Sequence, residues 1–365
     1  MILMLNTQST HISELVFSDT DTKFKYAEQN RSISKYIVNF LLSRIYNPSS
    51  PSKHNVVGNI KTLRTTKQLK IELAFRKLRV EWDMYILGGT SSEDIAKELA
   101  KISGEPLLER EIRRFPDGEL YVRLLKKVEN KDVVIIQNTY PDENIIELLL
   151  LQDAVSEGNA KNITVVIPYY GYGRQDKQFL EGEAVSAKAL AQLISLKADK
   201  IILVDPHKEH ILNFFSIPAQ SCSPVEEITN YLKKKKVEML LAPDKGALER
   251  VETIANLMGC EYDYLEKKRI DANTVVMETK SLDVKNKIIA IVDDIISTGG
   301  TMAKAVEELK RQGASRVLAV CTHGLFIGNA IEKLEKAKCD EIASTDTIKS
   351  KYSKIKIASA ISKIL

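Results

Sequence analysis

Residues 287–301 read Lys-Ile-Ile-Ala-Ile-Val-Asp-Asp-Ile-Ile-Ser-Thr-Gly-Gly-Thr. The apolar run Ile288 to Val292 reads as a buried strand. It ends in two adjacent carboxylates, Asp293 and Asp294, and a Ser-Thr-Gly-Gly-Thr loop then leads into a helix-compatible stretch, 301–312. Strand, polar loop, helix is the order that aims backbone N–H groups and a helix N-terminus at an anion. Gly299 and Gly300 let the backbone approach a phosphate closely. The two acids stand where a parallel sheet opens its ligand crevice, at the strand's C-terminal end. Acids for ring hydroxyls beside a phosphate cradle suit a sugar phosphate. An ordinary strand–helix turn with a threonine cap is the plainer alternative.

Working outward, strand and helix signals alternate from Met84 onward. Strands are expected at 84–87, 119–124, 132–137, 162–167, 199–204, 237–241, 287–292 and 315–321. Helices are expected at 92–102, 142–157, 184–196, 224–235, 246–258, 301–312 and 328–337. Continuous runs such as Val133 to Ile136 imply strands buried on both faces, hence a mainly parallel sheet. The helix-poor stretch 105–124 adds antiparallel strands. A weak internal echo relates 162–207 to 287–324, and two similar α/β domains meeting near 222–226 account for it. The expected division is an extension over 1–83, a first domain over 84–224 and a second over 225–365, whose last residues pack back on the first.

The extension differs in character. It holds one glycine, Gly58, many polar residues and a Pro-Ser-Ser-Pro-Ser run at 48–52. It reads as a poorly packed extension, partly helical near 33–46 and 67–80 or else disordered. Translation starting at Met84 is a further expectation from this change of texture.

Charge and cysteine usage narrow the function. The chain of 365 residues has a formal charge of +4, and residues 1–83 alone carry +6, leaving −2 on the rest. The body is therefore not a basic nucleic-acid binder, and no nucleic-acid partner is expected. No apolar run reaches the roughly 18 residues of a membrane span. The four cysteines are scattered with no Cys-x-x-Cys pair, so neither a zinc site nor a disulfide framework is suggested. Free thiols in a reducing cytoplasm are the expectation.

Other clusters carry chemistry. Phe115-Pro-Asp-Gly-Glu119 puts a ring and two acids around a turn, which suits a purine or marks a plain turn. Pro168 to Lys177 is a Gly-rich loop after a strand, with Arg174 and Lys177 placed for a polyphosphate. Asp205-Pro-His207 and Ala242-Pro-Asp244 close two further strands. His207 and Asp244 are too few for zinc but suit a Mg²⁺ that keeps its waters and takes phosphate oxygens. Leu265 to Ile270 is a cationic cluster between strand-like segments. It is a solvated face or, if it moves, a cover for an anionic transition state. No Walker-type phosphate loop occurs.

Together these clusters, over 84–365, resemble the ribose-phosphate diphosphokinases, the PRPP synthases. The loop 293–301 resembles the PRPP-binding loop they share with phosphoribosyltransferases. The motifs at 115–119, 174–177 and 205–207 belong to the synthases alone. The resemblance implies two tandem phosphoribosyltransferase-like domains, each a mainly parallel sheet flanked by helices. It implies transfer of the β,γ-diphosphoryl group of Mg·ATP to the 1-hydroxyl of ribose 5-phosphate, giving PRPP and AMP. By the same resemblance, Phe115 stacks on adenine while Asp117 and Glu119 bond it, in a site shared with a neighbouring subunit of a homo-oligomer. Arg174, Gln175, Asp176 and His207 bind ATP, and His207 and Asp244 anchor Mg²⁺. Lys267 and Arg269, on the family's catalytic loop, stabilise the transition state. Asp293 and Asp294 hold the ribose hydroxyls, and Ser297, Thr298, Gly299, Gly300 and Thr301 the 5-phosphate. Ser297 stands where many bacterial and animal members carry Asp, and the catalytic-loop region is short. Both features resemble archaeal-type members. Rival readings are a nucleobase phosphoribosyltransferase, a non-catalytic regulatory paralogue and an RNA-binding regulator.

Overall fold

A computed structural model describes residues 3–5, 14–17, 23–25, 83–269, 275–279 and 283–365. The chain divides into two compact units, 1–80 and 81–365. In the first, β1 (Leu3–Leu5), β2 (Glu14–Phe17) and β3 (Lys23–Lys25) form an antiparallel sheet. These three strands were not anticipated. The helices expected at 33–46 and 67–80 lie outside the described residues.

The second unit holds two larger sheets. The first is wholly parallel, in the order β10-β9-β8-β7-β4, from β4 (Met84–Gly88), β7 (Asp132–Ile136), β8 (Asn162–Ile167), β9 (Lys200–Val204) and β10 (Ala219–Cys222). Val133 to Ile136 are all buried, which is why this run shows no polar alternation. Helices cover both faces. α1 (Glu93–Ser103) buries Ile95, Ala96, Leu99 and Ala100, spaced as one helical face, and stops at Gly104 with φ 72°. α2 (Glu143–Glu157) and α3 (Ser186–Ile194) pack Leu148, Leu151, Leu190 and Ile194 on the other face. A separate antiparallel hairpin, β5 (Arg110–Arg114) with β6 (Leu120–Leu124), occupies the expected helix-poor stretch.

The second sheet runs β13-β12-β11-β14-β15-β16-β17. Its strands are β11 (Met239–Ala242), β12 (Glu261–Arg269), β13 (Val275–Thr279), β14 (Ile288–Ile296), β15 (Arg316–Gly324), β16 (Glu341–Thr345) and β17 (Ser353–Ile355). Only the β12–β13 pairing is antiparallel. α4 (Val225–Lys234) and α5 (Leu248–Met258) cover one face, and α6 (Gly300–Arg311) and α7 (Ala330–Lys336) the other. The chain ends in α8 (Ala358–Ser362). Its Ala358, Ala360 and Ile361 join Ile86, Ile95 and Leu99 in a core under the first sheet. Among the described residues no helix is long and apolar enough to cross a membrane.

Candidate active site

Parallel strands deliver their C-terminal ends to one edge, and the candidate residues gather there. β14 carries Asp293 and Asp294 beyond its buried run, and β11, hydrogen-bonded beside it, ends just before Asp244. The Asp294 N–H donates to Asp293 Oδ1 at 2.9 Å, and the Ile295 N–H to Asp294 Oδ1 at 2.8 Å. Gly299 then takes φ 70°, a left-handed conformation that glycine adopts without strain, and α6 starts with no side chain capping it. Its first N–H groups therefore remain for an anion. A methyl group at Gly300 would meet nothing within 4 Å, so the cradle is open. The Ser297 and Thr298 carbonyls are engaged, accepting from the Ile327 N–H at 3.0 Å and Lys333 Nζ at 3.1 Å.

The acids differ electrically. Burial raises the Asp293 carboxyl, and the charge of Asp294 adds to it. Burial also opposes ionisation of Asp294. There the His207 hydrogen bond and the charges of Arg250 and His207 outweigh it and hold the group well below the carboxylate range. The pair thus offers one firmly ionised acceptor and one more basic neighbour. Such a pair can bind two sugar hydroxyls and also take a proton from one.

His207 belongs to the first sheet, three residues past β9, yet its Nδ1 lies 2.6 Å from Asp294 Oδ2. This contact joins the two sheet edges. His207, Arg174, Tyr169 and Gly173 line one small cavity with Ile295 and His323 of the second sheet. The loop 168–177 is tightly turned, as its glycines suggested. The Gly171 N–H donates to Thr139 Oγ1 at 2.7 Å, and a methyl group on Gly171 would stand 2.6 Å from the Thr139 carbonyl oxygen. Gln175 is drawn into its own loop, its Nε2 3.2 Å from Glu183. Asp176 pairs with His210 at 3.0 Å. Asp244 accepts from the Gly246 N–H at 2.9 Å and so caps the short turn Lys245–Ala247.

Two further groups lie on antiparallel strand pairs. Phe115, Asp117 and Glu119 sit at the turn of the β5–β6 hairpin, and their hydrogen bonds are local: the Glu119 N–H to Asp117 Oδ1 at 3.0 Å, and Arg114 Nη1 to the Gly118 carbonyl at 2.6 Å. Phe115 is 40% exposed, with Arg113 over its ring at 5.0 Å. Lys267 and Arg269 lie on β12, paired with Met277 and Val275 of β13. The cationic cluster is therefore part of a strand, not a link between strands.

Arg250, on α5, has no signal in the sequence beyond its place six residues after Asp244. Its side chain is 19% exposed and bonds Asp205 at 2.6 Å. Burial works against its charge, but Asp205, Asp294 and Asp293 more than offset that. Thr322 also donates to Asp205.

Comparison with known proteins completes the assignment. Residues 84–197 match the model for the N-terminal domain of ribose phosphate pyrophosphokinase, and residues 225–356 that of the phosphoribosyl transferase domain. The ribose-phosphate pyrophosphokinase of Pyrococcus abyssi is 43% identical over 279 residues, covering 76% of this chain and 96% of that protein. That of Pyrococcus furiosus is 46% identical over 263 residues, covering 71% and 93%. The crystal structure of phosphoribosylpyrophosphate synthetase from Mycobacterium smegmatis superposes with a TM-score of 0.68 at 28% identity, covering 77% of this chain and 97% of that one. The expected fold class holds, as does the resemblance to archaeal members. The chain belongs to the ribose-phosphate pyrophosphokinase family, an enzyme family whose two-domain core it carries almost in full.

Proposed function

We propose that this chain transfers the β,γ-diphosphoryl group of ATP to ribose 5-phosphate. The 1-hydroxyl oxygen attacks the β-phosphorus and loses its proton. The bond from that phosphorus to the α,β-bridging oxygen breaks, and AMP leaves with that oxygen. The products are PRPP and AMP. Such chemistry needs positioning and charge neutralisation more than a protein nucleophile.

The observation that carries this reading is the 2.6 Å contact between His207 and Asp294. It brings the nucleotide side of the first sheet against the sugar side of the second. Asp293 and Asp294 hold the ribose 2- and 3-hydroxyls. The N–H groups of 297–301 hold the 5-phosphate. Arg174 meets the ATP phosphates, with Gln175 and Asp176 on the same loop. Lys267 and Arg269 take up charge in the transition state.

Among the described residues no group of three metal-ligating side chains exists. That donor set does not cage an ion, and it fits a Mg²⁺ that arrives with the triphosphate and keeps several waters. His207, through the ring nitrogen not engaged by Asp294, and Asp244 would hold it. Bound there, the ion would supply neutralisation of the triphosphate's charge. The exposed Phe115 hairpin, with Asp117 and Glu119, serves the adenine site of a neighbouring copy in a homo-oligomer. The cytoplasm is the compartment that supplies these substrates.

The test is direct. Incubated with ATP, Mg²⁺ and ribose 5-phosphate, the protein forms AMP and PRPP in equal amounts. A folded protein that forms neither overturns the reading.

A further inference from the structure

We propose that Asp205 is a positioning residue, held by Arg250 and Thr322, that locks the nucleotide-side histidine onto the sugar-side acids across the junction of the two sheets. This role rests on the reaction proposed above.

Asp205 takes φ 46°. A left-handed conformation costs a non-glycine residue about 1–2 kcal/mol, so its surroundings must hold it there. They do so through every polar group it has. Its N–H donates to the Cys222 carbonyl at 2.9 Å. Its carbonyl accepts from His323 Nε2 at 3.0 Å. Its Oδ1 accepts from Arg250 Nη2 at 2.6 Å, and its Oδ2 from the Thr322 hydroxyl. Three of these four bonds come from the second sheet and its helix α5. His323 is itself fixed, since its Nδ1 accepts from Thr347 Oγ1 at 3.0 Å.

The turn at Asp205 redirects the chain as it leaves β9. Two residues later His207 reaches Asp294 at 2.6 Å. Arg250 therefore serves both ends of one short circuit, bonding Asp205 while its charge acts on Asp293 and Asp294. A fault at Asp205 would misplace His207 while Asp293, Asp294 and the loop 297–301 keep their own backbone support on β14 and α6. Misplacement of a reacting group by about 1 Å can cost about 10²-fold in rate.

The experiment compares Asp205→Asn, Asp205→Ala and Thr322→Val with the unmodified full chain. Asparagine tolerates left-handed backbone and keeps one acceptor, so that variant folds. Its kcat falls about 10-fold, and that of Asp205→Ala about 100-fold, while KM for ribose 5-phosphate stays within about twofold. Thr322→Val falls between the unmodified chain and Asp205→Asn. Ile194→Val, a buried change in α3, lowers Tm without changing kcat and controls for simple destabilisation. The second readout is Mn²⁺ binding in the presence of ATP, followed by electron paramagnetic resonance, which weakens in Asp205→Ala because His207 is no longer aimed. A lowered Tm with unchanged kcat and unchanged Mn²⁺ affinity overturns the positioning role. Absence of AMP formation by the unmodified chain overturns the reaction instead, and the Mn²⁺ measurement still decides on Asp205.

Discussion

The two sheets carry the same strand–loop–helix unit, and they differ in what fills it. In the first, the loop after β8 is tied down by its neighbours: Thr139 bonds the Gly171 N–H at 2.7 Å, and the Tyr169 ring lies tilted against His323 with ring centroids 4.9 Å apart. The loop after β4 is held as well, because the buried Glu147 accepts from both the N–H and the hydroxyl of Thr90 at 2.6 Å. In the second sheet the loop after β14 keeps its space and its helix N–H groups. One scaffold thus yields one edge whose loops are closed by their own side chains and one whose loop stays open. Division of labour follows from filling, not from topology.

The two edges should separate kinetically. Lys267→Ala removes a cation from the second sheet's end hairpin and lowers kcat by about 10²–10³, with KM for ribose 5-phosphate little changed. Arg174→Ala, on the filled loop, raises KM for ATP by about 10-fold. Steady-state kinetics on both substrates decides. A loss in Lys267→Ala confined to KM, or an Arg174→Ala effect confined to ribose 5-phosphate, ends the division.

Next in size is Gly171→Ala. The new methyl group must displace the Thr139 carbonyl oxygen 2.6 Å away, and both belong to backbone that cannot step aside. Overpacking of this kind costs about 2–3 kcal/mol. Thermal unfolding should show a Tm several degrees lower, together with a raised KM for ATP. An unchanged Tm would mean that the first edge is looser than its hydrogen bonds indicate.

How far the sequence goes can be judged from these same residues. Val133 to Ile136 and Ile288 to Val292 announce central parallel strands, because burial on both faces removes the polar alternation. The open loop at 297–301 is equally plain, since its glycines and acids are contiguous. The lock at Asp205 is not legible, because its holders lie 45 and 117 residues away and a single sequence does not pair them. β12 is half legible. Its charged end, 266–269, has no strand periodicity and owes its conformation to pairing with β13. The short strands in 1–25 hide in the same way, as three- and four-residue runs whose partners are set by tertiary contact.

Two glutamates with little-exposed side chains, Glu147 on α2 and Glu341 on β16, are held by opposite means. Glu147 is met by neutral donors. Glu341 meets Lys235 at 2.7 Å, Lys354 at 3.1 Å and Arg316 at 3.4 Å, and accepts from the Tyr231 hydroxyl. Burial opposes its ionisation, but Lys235, Tyr231 and Lys354 outweigh that and pull it down to about 2. Its folded value is depressed, so its stabilisation is present above the unfolded value of about 4.3 and is lost as pH falls toward 2. Glu341→Gln should cost about 2 kcal/mol at pH 7 and flatten the decline in Tm below pH 4. Glu147→Gln, whose amide can serve both Thr90 groups, should cost under about 1 kcal/mol. Equal costs would erase the contrast.

The smallest effect on folding belongs to the open edge. Gly300 has no positive φ, and its added methyl group meets nothing. Gly300→Ala therefore changes stability by under about 1 kcal/mol, with the sign set by the lost freedom of the unfolded chain. Its neighbour behaves differently. Gly299 has φ 70° and would bring a methyl group 3.0 Å from the Ala330 carbonyl oxygen, so Gly299→Ala should lower Tm clearly. The informative measurement on Gly300→Ala is binding. Alanine there fills the space a phosphate oxygen would occupy, and affinity for ribose 5-phosphate should fall about 10-fold by calorimetry while Tm without ligand holds. Unchanged affinity would mean that the phosphate sits elsewhere along the edge. The second loop would then be open without being the cradle.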